Sequence, residues 1–312
     1  MVLIISEETD LSTFRVIDWF LFHKIDYVLI FDTDLLRIDF KGNDITFHKE
    51  ETNIKFSLSE IKGVWYRRGR INFNLKEINN LQLNNFLSIE KSKITEYIYY
   101  KLSLLPSINH YYRKDTNKLI VAEIAEELGI KIPKSFLVNK GDYLQKTQKN
   151  TQKGLATKSI SGSSMFNINN NIAVSYTRVI DDDDIGENDF FPSYIQEYIE
   201  KKYELRIFFI ETEFWAMAIF SQNDDQTKTD FRNYNHSKPN RNIPYVLPKE
   251  LEEKLIRLSK KTGVNCGSID MIVTKNDEYI FLEINPIGQF GMVSNPCNYY
   301  LHERIALFFK EL

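Results

Sequence analysis

Near the C-terminal end of this 312-residue chain, Asp270 sits in Ser268-Ile269-Asp270-Met271-Ile272-Val273. Glu283 and Asn285 sit in Phe281-Leu282-Glu283-Ile284-Asn285-Pro286. Both runs read as strands, and Lys275-Asn276-Asp277 reads as the turn of a hairpin between them. Side chains alternate along a strand, so Glu283 and Asn285 share a face, and Asp270 on the other strand can join them. Two carboxylates and an amide oxygen are hard ligands. They suit Mg²⁺, which takes one or two carboxylates together with nucleotide phosphates. The plainer alternative, a solvated polar hairpin face, fits poorly with acids set among Ile, Met, Phe and Leu.

Three further stretches carry chemistry. In the run from Gln196 to Arg206 (QEYIEKKYELR), an apolar strand ends in a polar connector and a new strand follows. Such a connector can present backbone groups to an adenine edge, Glu204 can accept from ribose hydroxyls, and Arg206 can face phosphate oxygens. A salt-bridged hairpin is the alternative. Lys158 ends an expected strand, Leu155 to Ile160, and precedes Ser161-Gly162-Ser163-Ser164, a small-residue loop able to cover a triphosphate. It is not a Walker A loop, and an ordinary polar turn would look the same. Arg232, in Thr229-Asp230-Phe231-Arg232, can stabilise charge on a phosphoryl group in transfer, or simply form a surface ion pair. Lys118 is one more cation near a helix start.

The elements that must position these residues are of α/β type. Val2 to Ile5 and Tyr27 to Phe31 read as strands around a helix with Leu11, Phe14, Ile17 and Leu21 on one face, which predicts a parallel unit. Gly42-Asn43 predicts a hairpin turn between Ile38–Phe40 and Ile45–Phe47. A long helix is expected from about Leu75 to Leu104, ended by Pro106. Residues 106–116 read as a linker, and Lys118 to Leu128 as a helix stopped by Gly129. Strands are expected at Ser135–Val138, Ile172–Val179, Tyr194–Glu197, Leu205–Ile210 and Phe214–Ser221. A polar loop, Gln222 to Asn242, is followed by a helix over Pro248 to Thr262 and a closing helix over Cys297 to Phe309.

Composition narrows the class. Hydrophobic residues make up 43% and charged residues 27%, as in ordinary globular proteins. A net charge of -3 gives no basic field for nucleic acid. No apolar run is long enough for a bilayer, and the start lacks the pattern of a secretory signal. Two cysteines and five scattered histidines exclude a disulfide framework and a Cys-rich zinc site, and point to the cytoplasm.

Taken in chain order, the two lysines, the connector, the arginine loop and the Asp…Glu-x-Asn-Pro end resemble the ATP-grasp superfamily over roughly residues 115 to 312. The resemblance implies that Lys118 and Lys158 contact ATP phosphates. Glu197 and Ile199 would present backbone to adenine, and Glu204 would bind ribose. Arg206 and Arg232 would act with Lys158 near the transferred phosphoryl group, and Asp270, Glu283 and Asn285 would hold Mg²⁺. It implies an N-terminal pre-ATP-grasp α/β domain (1–115), a central subdomain (116–195) and an antiparallel C-terminal subdomain (196–312).

A narrower resemblance rests on Val64-Trp65-Tyr66-Arg67-Arg68, Ser107-Ile108-Asn109-His110, Ser221-Gln222, Thr229-Asp230-Phe231-Arg232 and Asn285-Pro286-Ile287-Gly288-Gln289-Phe290. These look like the graspetide synthetases, microviridin-type and grasp-with-spasm ligases that macrocyclise ribosomal peptides. The family implies a precursor peptide with leader and core as partner, phosphorylation of core Asp or Glu, and ω-ester or ω-amide closure by Thr, Ser or Lys. It also suggests a homodimer. Asp182 and Asp183, in the acid run 181–184, would pair with basic leader residues or merely be solvated. Arg67 and Arg68 would guide acidic core residues or pair internally, and Asp230 would stand at the peptide. Two other readings compete: a ligase adding glutamate or another amino acid to a peptide C-terminus, and a nucleotide-binding regulator without ligase activity.

Overall fold

The computed structural model describes all residues except 43, 75–77, 163–164, 169–170, 182, 184 and 187, and the side chains of 165, 168 and 171–173. The chain divides into two compact units that do not follow chain order. The first joins Met1–Asp115 with Val264–Cys266 and Pro286–Leu312. The second comprises Thr116–Gly263 and Gly267–Asn285.

In the first unit a parallel sheet runs in the order Tyr27–Phe31, Val2–Ser6, Gly63–Tyr66, Ser107–Ile108. Its central strands are buried along their whole length, as apolar runs in a covered parallel sheet must be. A second sheet holds the hairpin Leu35–Lys41 and Asp44–Lys49, with Ile54–Ser57 and Asn72–Phe73 on its two sides. Lys41 pairs with Asp44 at the end of this hairpin; the expected turn at Gly42-Asn43 falls in part outside the described residues, at Asn43.

The first helix, Leu11–Phe22, presents a different face from the one expected. It buries Ser12, Thr13, Val16, Ile17 and Phe20, while Leu11, Phe14 and Leu21 are exposed. The segment is apolar on nearly every side, so periodicity alone does not choose the face. Packing of Phe20 against Tyr27 and Phe309 does. The long helix spans Leu81–Ser103 and starts later than expected, because the Asn80 side chain accepts from Leu83 N–H and caps it there. The closing helix is two helices, Gly291–Cys297 and Leu301–Lys310, separated by Asn298 and Tyr300 in left-handed conformation.

The second unit holds two larger antiparallel sheets. One has the order Arg178–Ile180, Leu155–Thr157, Ser193–Glu197, Ser135–Val138. The other has the order Arg241–Tyr245, Glu213–Phe220, Lys201–Ile210, Cys266–Thr274, Tyr279–Asn285. The strand expected through Ile160 stops at Thr157, so Lys158 lies just beyond it. The strand expected from Leu205 begins at Lys201, which places Glu204 and Arg206 inside the ladder. The expected strand Ile172–Val179 is two pieces, Asn171–Val174 and Arg178–Ile180. Sequence patterning also missed the polar helix Gly141–Asn150 and the strand Arg241–Tyr245, both poor in aliphatics. Among the described residues no helix is long and apolar enough to cross a membrane.

Candidate active site

The C-terminal hairpin sets the site. Asp270 stands directly opposite Glu283 in the ladder and Ser268 opposite Asn285, with an irregularity between Asp270 and Met271. Cross-strand partners share a face, so the three predicted metal-ligand residues are brought to one side of one sheet. The Asn285 amide nitrogen donates to Glu283 Oε1 at 3.0 Å, leaving its oxygen as the end that can turn to a cation.

Around them runs a slot between the two antiparallel sheets of the second unit. Its walls include Pro133, Ala156, Phe231, Ile272 and Leu282; its polar rim includes Lys158, Glu197, Ile199, Glu204, Asp230, Arg232, Asp270 and Glu283. Apolar walls with a few convergent polar groups are the makeup of a cofactor or nucleotide site. The flat apolar part fits a base, and the charged end fits phosphates.

Charge is arranged in pairs. Lys118 Nζ lies 3.3 Å and Lys158 Nζ 3.9 Å from Glu283 Oε2. Lys118 also donates to the Ser159 carbonyl at 2.7 Å, and Lys158 to the Leu282 carbonyl at 3.2 Å. Arg206 Nη1 donates to both oxygens of Asp270, at 2.6 and 2.5 Å, and its Nε is buried without a hydrogen-bond partner. Asp230 receives Arg232 twice, Nε to Oδ1 at 2.8 Å and Nη2 to Oδ2 at 2.6 Å, and also the Thr177 N–H.

These surroundings move the acids and bases in opposite senses. Burial raises the Glu283 carboxyl, but Lys158 and Lys118 overcome that and hold it at about 2. Burial lowers the Lys158 ammonium to about 8 against the pull of Glu283. Asp270 is raised by burial despite Arg206. Glu204 is raised by burial despite Lys201, whose ammonium donates to Glu204 at 2.6 Å. Buried Lys201 also donates to the Thr229 carbonyl at 2.9 Å. It is a site residue that sequence reading passed over, because two consecutive lysines in a polar connector look like surface.

Glu197 and Ile199 both line the slot; the Glu197 N–H is engaged by the Lys134 carbonyl at 2.8 Å. Arg67 and Arg68 belong to the first unit and are not among the lining residues. Arg67 is 4% exposed, donates to Asp10 at 2.7 Å and to the Gly288 carbonyl at 3.2 Å, and lies over the Phe290 ring. Of its two readings, internal pairing is what the structure displays. Arg68 lines a separate hollow with Glu7, Asp32, Arg70 and Lys114. Asp183 is exposed and away from the slot, and Asp182 lies outside the described residues, as do Ser163 and Ser164 of the expected covering loop.

No cluster of three or more His, Cys, Asp or Glu side chains able to hold a metal occurs among the described residues. The set here is two carboxylates and one amide, which fits a magnesium ion whose remaining positions go to phosphate and water.

A RimK-like ATP-grasp domain model matches residues 115–306. Among solved structures, the macrocyclase MdnC from Microcystis aeruginosa MRC, bound with precursor peptide MdnA, is 25% identical over 100% of both chains, with a TM-score of 0.79. A RiPP-associated ATP-grasp ligase of Chryseobacterium gregarium, in complex with ADP and a leader and core peptide, is also 25% identical. That likeness covers 99% of this chain and 94% of the other, with a TM-score of 0.80. The macrocyclase MdnB from Microcystis aeruginosa MRC, at 19% identity, 99% and 98% coverage and a TM-score of 0.72, shares the fold. No curated protein sequence matches significantly. With the slot between two antiparallel sheets, the Asp…Glu-x-Asn hairpin and a family match across most of the chain, this protein belongs to the RimK-like ATP-grasp family.

Proposed function

We propose that the protein is an ATP-dependent ligase that activates Asp or Glu side chains of a ribosomally made precursor peptide and closes them onto Thr, Ser or Lys. The observation that carries this reading is the opposed pair Asp270 and Glu283 with Asn285 on one face, ringed by Lys118, Lys158, Arg206 and Arg232. It is supported by the likeness, over the full chain, to a macrocyclase bound with a precursor peptide.

The slot orders the work. Ile199 and the apolar wall of Ala156, Ile272 and Leu282 hold adenine, and Glu204 faces ribose. Lys118 and Lys158 turn from Glu283 to phosphate oxygens. Asp270, Glu283 and Asn285 would hold Mg²⁺, which supplies Lewis-acid stabilisation of phosphoryl charge. Arg206 and Arg232 spread charge as the γ-phosphoryl group passes to a carboxylate oxygen and ADP leaves. Attack by a hydroxyl or amine on the acyl carbon then expels phosphate and releases a proton, giving an ester or amide. A carboxylate alone would have to expel oxide, which is why the mixed anhydride is needed.

The partners in this reading are the leader-and-core peptide and a second copy of the chain, and the setting is the cytoplasm, where ATP is abundant. Asp183 and Arg68, both accessible, are the remaining candidates for peptide contact. The test is incubation with ATP, Mg²⁺ and a ribosomal precursor peptide of leader and core with repeated Thr and Asp or Glu, read by mass spectrometry. Loss of one water per link, with one ADP formed for each, is the expected result. A gain of residue mass would instead identify an amino-acid-adding ligase, and ATP binding with no ADP formed would identify a regulator.

A further inference from the structure

Asp270 and Glu283 lie inside the ladder of the C-terminal hairpin, but Asn285 is the last residue of its strand. Strand ends are the first places to open, and a ligand that swings loses the near-ideal geometry Mg²⁺ demands. The chain on both sides of Asn285 is nevertheless held. Thr116 Oγ1 donates to the Ile284 carbonyl at 2.9 Å. Buried Asn109 donates through Nδ2 to the Pro286 carbonyl at 2.8 Å. Pro286 itself disfavours helical backbone at Asn285.

Asn109 is fixed in its turn. Its N–H donates to Asn265 Oδ1 at 2.9 Å, and Asn265 Nδ2 donates to the Ser107 carbonyl at 2.6 Å. Asn265 immediately precedes the strand Cys266–Thr274, which carries Asp270. The bonds of Asn109 and Asn265 lie within the first unit, and the Thr116 bond lies within the second. Asn109 holds its place at a cost. Its φ is +55°, and its Oδ1 is buried with no hydrogen-bond partner among the described residues. A residue needed only to fill space has no reason to strand an acceptor, and local costs of this kind gather where geometry serves function. We infer that Asn109 and Thr116 are positioning residues for the metal site. By holding the carbonyls on either side of Asn285, they keep its amide on the face that Asp270 and Glu283 share. Removing such an outer contact weakens metal binding by about 10- to 100-fold in metal sites generally.

The inference rests on the metal assignment proposed above and not on the peptide substrate. Mn²⁺, a stand-in for Mg²⁺ that electron paramagnetic resonance detects, is titrated into the full chain with saturating ADP. ADP is titrated separately in the presence of a chelator, and the unfolding midpoint in urea is measured alongside. Asn109→Asp and Thr116→Val each keep the side chain's size and remove its donor. Each is expected to weaken Mn²⁺ binding by roughly tenfold or more and to leave metal-free ADP affinity unchanged. Thr116→Ser keeps the hydroxyl and should bind Mn²⁺ as the unaltered protein does. A lowered midpoint with unaltered Mn²⁺ affinity would show that the two bonds only brace the fold, and would overturn the inference. Should Asn109→Asp fail to fold, the contrast of Val with Ser at Thr116 decides alone. Asn285→Ala separates the inference from its premise. If that variant loses Mn²⁺ affinity while Asn109→Asp and Thr116→Val keep it, the positioning role is wrong and the metal assignment stands. If Asn285→Ala binds Mn²⁺ unchanged, the metal assignment falls and the inference with it.

Discussion

Lys158 carries a charge that titrates within the working range. Its ammonium is held at about 8 rather than 10.5, chiefly by burial. Above that pH the free protein loses a cation that faces phosphate, so kcat/KM for ATP is expected to fall as pH rises through about 8. Lys158→Arg keeps its charge and should carry that limb beyond the measurable range. Stability moves the other way. Between 8 and 10.5 the unfolded chain holds the proton that the folded one has released, so stability from this group rises with pH. Glu283 has the opposite sign: its carboxyl is lowered from 4.5 to about 2, so its stabilisation is complete above 4.5 and is lost as pH falls through 2. Glu283→Gln is expected to cut ADP release by about two orders of magnitude while circular dichroism stays native; unchanged turnover would remove it from the metal set. The hairpin trio was legible in the sequence because strand alternation dictates it. Lys201 was not, since its burial comes from the Thr229 loop folding over it, which no local pattern encodes.

At the level of elements, the strand Gly63–Tyr66 ends in a turn that sets Arg68 and Arg70. Gly69 makes that turn at a φ of +73°, and a Cβ there would lie 2.8 Å from the Ser6 carbonyl oxygen and 2.9 Å from Asp32 Cβ. Gly69→Ala is therefore expected to cost about 2 kcal/mol or more, read as a lowered midpoint in urea. Strand and helix order followed from sequence where apolar runs were bounded by Gly, Pro or polar residues, as in the opening strand–helix–strand and the paired strands Leu35–Lys41 and Asp44–Lys49. It failed where an element is held by tertiary contact. The buried side of Leu11–Phe22 is chosen by Phe309, nearly three hundred residues away along the chain, and the helix Gly141–Asn150 has little apolar content to announce itself.

For the molecule as a whole, Pro286–Leu312 completes the unit that begins at Met1. Phe309 packs its ring 5.8 Å from that of Phe20 and is 4% exposed. Phe309→Ala should therefore destabilise by about 3 kcal/mol, seen as an earlier thermal transition of the first unit. Segment order along the chain predicts which strands form but not which end of the chain finishes which unit, because that depends on distant surfaces meeting. The near balance of the chain's charges, -3 overall, is repeated inside the slot. There Lys118, Lys201, Arg206 and Arg232 each answer a carboxylate at 2.5 to 3.3 Å. A pocket already neutral has little to offer a bare polyanion or a bare dication, since either would strand an excess of one sign in a dry place. Nucleotide and magnesium should thus load as mutual helpers: a chelator weakens ATP affinity by some factor, and titrating the metal with and without nucleotide must return that same factor. Equal metal affinity in both titrations would show that the two guests never share the same carboxylates.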